Sequence, residues 1–437
     1  MTVTVVGGGL AGCEAAWALA ERGFEVRLCE MRPLSTTPAH QTDRLAEIVC
    51  SNTFKSIELT NAHGLLKAEL RRLGSLLLDV ADGVRVPGGT ALAVDRTRFA
   101  EAVTARVEAH PRIAVVRDEI STLPTPGIVA TGPLTSEGLA ACIAQRLGTG
   151  GLAFYDAIAP IVAADSLDHT RLYRASRYGK GGGDDYLNAP LDRAEYLALI
   201  EGLRTGEQFR PHEFDAVPYF EGCLPIEEMA ARGDDVLRFG PLKPVGLPDP
   251  RTGRPPYAVV QLRQEDQAGQ MWNLVGFQTR LRVPEQQRLF RAIPGLAQAE
   301  FLRYGSIHRN TYLNTPRALR PPLSAPDDPR LLFAGQLVGV EGYTESLGTG
   351  LFAGITLARL LAGRPAVLPP PETMLGALLH YVHHADARHF QPMNANFGLL
   401  PPLESPSRDK RQRKTQLAER ALAAIEGFAA AVAGVTS

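Results

Sequence analysis

The chain has 437 residues, with 46 Lys plus Arg against 47 Asp plus Glu, which leaves a formal net charge of -1. Hydrophobic residues make up 45% and charged residues 21%, a globular balance that excludes a disordered or fibrous chain and allows two or three cores. Near-neutral charge also excludes steering of an anionic partner by the whole field, so any nucleic acid must be held by a local basic patch.

The first residues, Thr2–Val6, read as a short buried strand. Gly7-Gly8-Gly9-Leu10-Ala11-Gly12 follows directly, then a helix over 10–22 that Gly23 ends in a left-handed conformation, then a second strand over 24–30 finishing on Glu30. This is G-x-G-x-x-G in the context that gives it meaning. The glycines let backbone amides approach a pyrophosphate, the helix N-terminus supplies partial positive charge, and Glu30 can accept bonds from a ribose hydroxyl. The apolar start lacks the basic leading segment of a secretory signal and reads as mature structure.

Further buried strands are expected over 127–132, ending in a turn at Gly132, and over 331–335, followed by a glycine-rich loop and an apolar helix to 362. Strand-then-glycine signatures near both ends predict an α/β chain. In it a Rossmann-type, glutathione-reductase-like FAD-binding domain, residues 1–155 and 321–437, is interrupted by an α+β insertion domain, residues 156–320. The insertion is marked by Pro/Gly-rich loops at 179–183 and 240–256 and by strand-like stretches at 257–262 and 274–279. Only one dinucleotide unit is present and 331–354 offers a second contact region, which favours FAD over NAD. Gly335, Gln336, Gly342 and Tyr343 then bring a strand end and a fresh helix N-terminus to the flavin's electron-rich edge. Tight turns are the plainer reading of Gly335 and Gly342.

After 369 come a Pro-rich turn, a helix near 375–385 and a terminal helix from about 407, which opens on Arg408, Lys410, Arg411, Arg413 and Lys414. A solvated face explains that run, with RNA-phosphate contact as the alternative. Five cysteines, Cys13, Cys29, Cys50, Cys142 and Cys223, are widely spaced and form no metal pattern, so reduced thiols in the cytoplasm and no metal are expected. No run of 18 apolar residues suggests a membrane span. Cys50 and Cys223 lie among polar or turn residues, whereas the other three sit in apolar patterns as small hydrophobes.

Several unbroken stretches carry a resemblance over nearly the whole chain. They are the Gly7–Gly12 loop, Cys50-Ser51-Asn52-Thr53, Arg177-Tyr178-Gly179-Lys180 with the glycines after it, 220–226 around Cys223, 238–246, 261–265 and 308–311. In these the sequence resembles the TrmFO family of folate- and FAD-dependent tRNA uridine methyltransferases, which make 5-methyluridine at T-loop position 54. It is also similar to the larger MnmG/GidA wobble-uridine enzymes, whose long C-terminal helical extension it lacks. Asn188-Ala189-Pro190 departs from the Asn-Cys-Pro of both families and is given no role.

The resemblance implies methylenetetrahydrofolate as one-carbon donor, FADH2 as reductant, NAD(P)H to reload the flavin, and tRNA as partner. Carbon 5 of uracil is a poor nucleophile until a thiolate adds at carbon 6. The resemblance makes Cys223 that nucleophile and Cys50 a second catalytic thiol, removing the carbon 5 proton or shielding Cys223. His308, Asn310, Glu341 and Glu345 are the candidate neighbours of the pterin. Arg171, Arg174 and Arg177, at three-residue spacing before Lys180, are the candidate basic strip for tRNA phosphates. No second nucleotide loop is visible, because 148–151 follows a helix and 179–183 lacks a preceding strand, so NAD(P)H is expected to dock transiently at the flavin. The competing readings are a flavin oxidoreductase of a small metabolite, a GidA-like wobble modification, and a non-catalytic flavoprotein that binds tRNA. The sequence assigns neither an oligomeric state nor a preference between NADH and NADPH.

Overall fold

A computed structural model describes residues 1–148, 152–209 and 224–434; side chains of 152–156 and 307–309 are outside the description. Five parallel strands form the sheet that carries the nucleotide motif, in the order Leu331–Phe333, Gly127–Val129, Thr2–Val6, Glu25–Glu30, Ile113–Arg117. Thr2–Val6 is central, and its run of β-branched residues suits a strand with neighbours on both edges and cover on both faces. The edge strand Leu331–Phe333 comes from the C-terminal third and pairs Leu331 with Gly127.

The opening helix, Leu10–Ala20, is almost wholly buried because a second helix, Tyr343–Leu361, lies against it. Two glycines let the backbones approach. A Cβ at Gly350 would lie 2.2 Å from the Ala11 carbonyl oxygen, and one at Gly354 would lie 2.7 Å from that of Ala15. Inside the same helix Glu14 is fully buried. One carboxylate oxygen accepts from the Ser75 hydroxyl and, at 2.9 Å, from the Leu77 N–H, while Oε2 has no partner among the described residues. Burial pushes this carboxyl up to about 7.

The middle of the chain builds a six-stranded antiparallel sheet, in the order Tyr173–Arg174, Tyr186–Leu191, Ala258–Gln264, Met271–Leu274, Ile161–Ala163, Phe301–Arg303. The strand-like stretch 274–279 is not extended throughout: the strand ends at Leu274, and Gly276, at φ +80°, turns the chain with Pro241 packed against it. Buried apolar residues fall into two clusters. One draws on Val3 to Leu147 and on Tyr312 to Val432, the other on Val162 to Ala299. Between them run Leu152–Ile158 and Ser306–Tyr312, paired antiparallel as a two-stranded ribbon. A three-stranded sheet, Thr53–Ser56, Ala91–Val94 and Arg85–Val86, anchors the segment that follows Cys50. No described helix is long and apolar enough to cross a membrane.

Candidate active site

The nucleotide turn divides its glycines between two tasks. Gly7, at φ +102°, could carry a Cβ only 2.6 Å from the Ala130 carbonyl oxygen, and a Cβ at Gly12 would lie 1.8 Å from that of Gly7. Those two are demanded by the fold itself. A Cβ at Gly9 would meet no atom within 4 Å, so the bareness of this residue serves whatever enters the cleft. Gly9 also caps the helix with no side-chain bond, and the first turn holds no acidic residue; free N–H groups and the positive helix end therefore face the opening.

Glu30 closes this cleft. Its carboxylate accepts the Gly8 N–H at 2.9 Å and the Arg32 side chain at 2.9 Å, and Arg32 is braced in turn by Glu47 at 3.1 Å. Burial opposes ionisation, but the hydrogen bonds and charge of Arg32 and the Gly8 N–H hold the Glu30 carboxyl below its ordinary value. The cleft has a volume of about 80 Å³ and includes Gly7, Gly9, Glu30 and Thr131 in its wall. Pro133 and Leu134 line it and also line a larger cavity of about 260 Å³ beyond, so the two spaces adjoin.

The larger cavity is walled by Cys50, Lys55, Arg263, Asn310, Gln336 and Tyr343, among others. Cys50 is fixed from several sides. The Tyr343 hydroxyl lies 3.0 Å from its Sγ and accepts the N–H groups of Cys50 and Ser51 at 3.0 and 3.1 Å. Burial, then the neighbouring Cys50, hold the Tyr343 phenol well above its ordinary value, so it keeps its proton. With two N–H groups donated to it, that proton is available to the sulfur or to the Ser51 carbonyl oxygen 3.1 Å away.

Two guanidinium groups stand behind the thiol. Arg96 donates to the Ile48 carbonyl at 2.5 Å and pairs with buried Glu265 at 3.0 Å; Arg303 donates to the Val49 carbonyl at 2.8 Å. Both interact electrostatically with Cys50 and Tyr343, an environment that favours a thiolate. The insertion sheet secures the next residues: Arg263 reaches Asn52 at 2.8 Å and Ser51 at 2.9 Å, and Asn52 donates to the Gln264 carbonyl at 2.8 Å. Cys50-Ser51-Asn52-Thr53 is therefore gripped by both halves of the molecule.

The sequence candidates separate accordingly. Gly7, Gly9 and Glu30 line the cleft, and Cys50, Asn310, Gln336, Glu341, Gly342 and Tyr343 line the cavity. Gly8 is engaged with Glu30, Ala11 packs beneath Gly335 and Gly350, and Gly12 is buried. Leu10 packs against the core. Gly132, at φ +67°, and Gly335, at φ +78°, are turn glycines, the latter with its N–H on the Thr349 hydroxyl at 2.8 Å. Gln336 donates to Glu341 at 2.5 Å, and both line the cavity together with Asn310.

Glu345 does not join them. It is 1% exposed, and its carboxylate accepts from His63 Nδ1 at 3.1 Å and the Ala395 N–H at 2.9 Å. Burial opposes it, yet His63 and Lys55 hold it below its ordinary value; it is a brace for the helix start. The His308 side chain and all of Cys223 lie outside the described residues.

The expected basic strip is not continuous. Arg171 faces Glu195 at 3.7 Å, Arg174 lies over the Trp272 ring, and Lys180 pairs with Glu58 at 3.0 Å. Arg177 is structural, donating to the Lys243 and Val245 carbonyls and to Gln261. Arg408, Lys410, Arg411 and Arg413 are exposed at the start of the helix Lys410–Val432. Sequence reasoning missed Arg96, Arg303 and Lys55, which have no local signature, whereas Arg263 and Glu265 lay unassigned inside the recognised stretch 261–265. Among the described residues no His, Cys, Asp and Glu side chains gather as a metal site.

A family model described as glucose inhibited division protein A matches residues 2–365. The chain is 57% identical over 432 residues to the methylenetetrahydrofolate–tRNA-(uracil-5-)-methyltransferase TrmFO of Geobacter sulfurreducens, covering 98% of this chain and 99% of that one. It is 56% identical over 430 residues to the protein of the same name in Pelobacter propionicus, covering 98% and 94%. Among solved structures, GidA of Aquifex aeolicus superposes with a TM-score of 0.72 at 17% identity, over 100% of this chain and 74% of the other, a likeness of fold.

Proposed function

This chain belongs to the glucose inhibited division protein A family and, within it, to the methylenetetrahydrofolate–tRNA-(uracil-5-)-methyltransferases, and on that premise we propose how its residues share the reaction. The enzyme methylates carbon 5 of a tRNA uridine with methylenetetrahydrofolate as donor; the T-loop uridine at position 54 is the proposed target. The observation that carries the assignment of the site is the junction of two spaces, a glycine-cradled cleft and a cavity that presents Cys50.

The cradle fits FAD. Gly9 leaves room where a pyrophosphate must approach, the uncapped helix end favours its charge, Glu30 is held ionised for a ribose, and Gln336, Gly342 and Tyr343 line the space beyond. When bound, the flavin supplies the two electrons that convert a transferred methylene into a methyl group. The described residues hold one such dinucleotide turn, so NAD(P)H is read as a co-substrate without a nucleotide fold of its own.

Cys223 is proposed as the thiolate that adds to uracil carbon 6, forming the S–C6 bond and leaving carbon 5 nucleophilic. Cys50 is proposed as the base that takes the carbon 5 proton before Cys223 is expelled and the ring double bond returns. Tyr343 donates to the Cys50 thiolate, and Arg96 and Arg303 lower the cost of its charge. Asn310 and the Gln336–Glu341 pair offer a donor and an acceptor to the pterin edge. The proposed location is the cytoplasm, with the tRNA substrate. No observation favours the small-metabolite oxidoreductase.

The test uses undermodified tRNA, NAD(P)H and either methylenetetrahydrofolate labelled in its one-carbon unit or methyl-labelled S-adenosylmethionine. Label in the T-loop uridine from folate alone is expected. Transfer from S-adenosylmethionine, or undiminished labelling by Cys223→Ala, overturns the mechanism.

A further inference from the structure

Among the described residues four non-glycine positions have positive φ: Ala46, Lys55, Tyr178 and Leu323. Tyr178, at φ 58° and ψ 27°, is the bulkiest of them, and the left-handed region is one that large side chains rarely occupy. Such a conformation persists where its surroundings enforce it and is concentrated at functional sites. The surroundings here are explicit. The Tyr178 N–H donates to the Gly246 carbonyl at 2.9 Å, and Arg177 holds the carbonyls of Lys243 and Val245.

Beneath the ring is Gly246, where a Cβ would lie 2.7 Å from Tyr178 Cε1 and 2.8 Å from Cδ1. One side of the ring therefore rests on bare backbone, yet the residue is 64% exposed. Its position relates it to the reaction cavity along two routes. Pro241, at the start of the segment ending in Gly246, packs against Gly276, which lines the cavity. Two residues further along the chain Lys180 pairs with Glu58, three residues beyond the cavity residue Lys55.

We propose that Tyr178 is a stacking platform outside the cavity for a tRNA base displaced when the target uridine leaves its loop; this rests on the tRNA-methyltransferase reading above. A uridine inside a folded loop must unstack to enter the cavity that presents Cys50, and its neighbour then exposes a face that an aromatic ring can cover whatever the base. Tyr178 does not line the cavity, so its free face serves something larger than the pterin or the uracil that enters it. Charge agrees with an RNA partner: Lys243, on the route through Gly246, is partly exposed and in no described ion pair, and Arg174 is exposed nearby in sequence.

The experiment measures undermodified tRNA binding, methylation kinetics, FAD content and Tm for the wild type and for Tyr178→Ala, Tyr178→Phe and Tyr178→Gly. Loss of one base–aromatic stack predicts roughly tenfold weaker binding and a correspondingly raised KM for Tyr178→Ala, with kcat at saturating tRNA near wild type. Tyr178→Phe restores binding, because the ring and not the hydroxyl does the work. Tyr178→Gly binds as weakly as Ala although its backbone is relieved, so its Tm does not fall. The salt slope stays unchanged, since no counterion is released by stacking. Wild-type affinity in Tyr178→Ala, failure of Phe to restore it, or a binding loss that tracks lost FAD or lowered Tm overturns the proposal. A wild type that neither binds nor methylates tRNA overturns the functional reading instead and takes this proposal with it.

Discussion

The cleft at Gly7 to Glu30 and the cavity around Cys50 adjoin, but they are built by opposite means. The cleft is local: one strand, one turn, one helix start and one strand end supply its essential groups within thirty residues. The cavity collects Cys50, Pro133, Ile158, Arg263, Asn310, Tyr343 and Asn394, from seven separated parts of the chain. A local site tolerates change elsewhere and fails when its own backbone is filled. A collected site depends on braces whose sequence positions say nothing about their purpose.

Glycine substitutions give the largest expected effects and test whether the cleft separates fold from ligand. Gly12→Val, with 1.8 Å between its Cβ and the Gly7 carbonyl oxygen, should yield no folded protein, read as loss of cooperative unfolding by circular dichroism. Gly9→Val, with open space around its Cβ, should fold with near-wild-type Tm and retain no flavin absorbance. A yellow Gly9→Val would break the division between the two glycines. In the cavity, Cys50→Ala should cut methylation by roughly 10² to 10⁴-fold with flavin content unchanged, the scale of a lost acid–base group. Methylation at the normal rate would remove Cys50 from the chemistry.

Tyr343→Phe is expected to be milder, about tenfold in kcat, because the ring remains and one charge-assisted bond goes. Wild-type kcat in Tyr343→Phe would leave Tyr343 with a purely packing role.

Glu14→Gln should touch activity least. The folded carboxyl at about 7 stands above the ordinary value of 4.5, so the folded state binds more protons between them. The associated stability is full below about pH 4.5 and is lost as pH rises through about 7, by at most about 3 kcal/mol. The amide stays neutral, so the variant's Tm should vary less between pH 5 and about 8.5. An equal pH dependence in both proteins would place the titration elsewhere.

This division also decided what could be read from residues alone. The parallel-sheet unit was legible because strand, glycine turn and helix are neighbours in sequence, and the late strand and helix repeat the same signature. The stretch 274–279 misled because the apolar residues Leu274, Val275 and Phe277 do not report a turn at Gly276, whose φ is +80° with Pro241 packed against it. Glu345 reads in sequence as a candidate neighbour of the pterin, yet its direction is set by His63, 282 positions away in sequence. Arg177 looked like a phosphate ligand, and only the fold of 243–246 shows its guanidinium closed on carbonyls. Arg96 had no signal, since its meaning comes from Glu265 across the two halves of the chain.

The packing of Gly350 and Gly354 onto Ala11 and Ala15 has a consequence for how the protein is made. On the ribosome the nucleotide-binding helix emerges first, but the helix that covers its alanines follows roughly 300 residues later, at elongation rates of about 5–20 residues per second. The core built from Val162 to Ala299 is contiguous and can close in the meantime. For tens of seconds the nascent chain therefore carries a finished middle and an uncovered beginning, and the flavin site becomes possible only as synthesis nears its end.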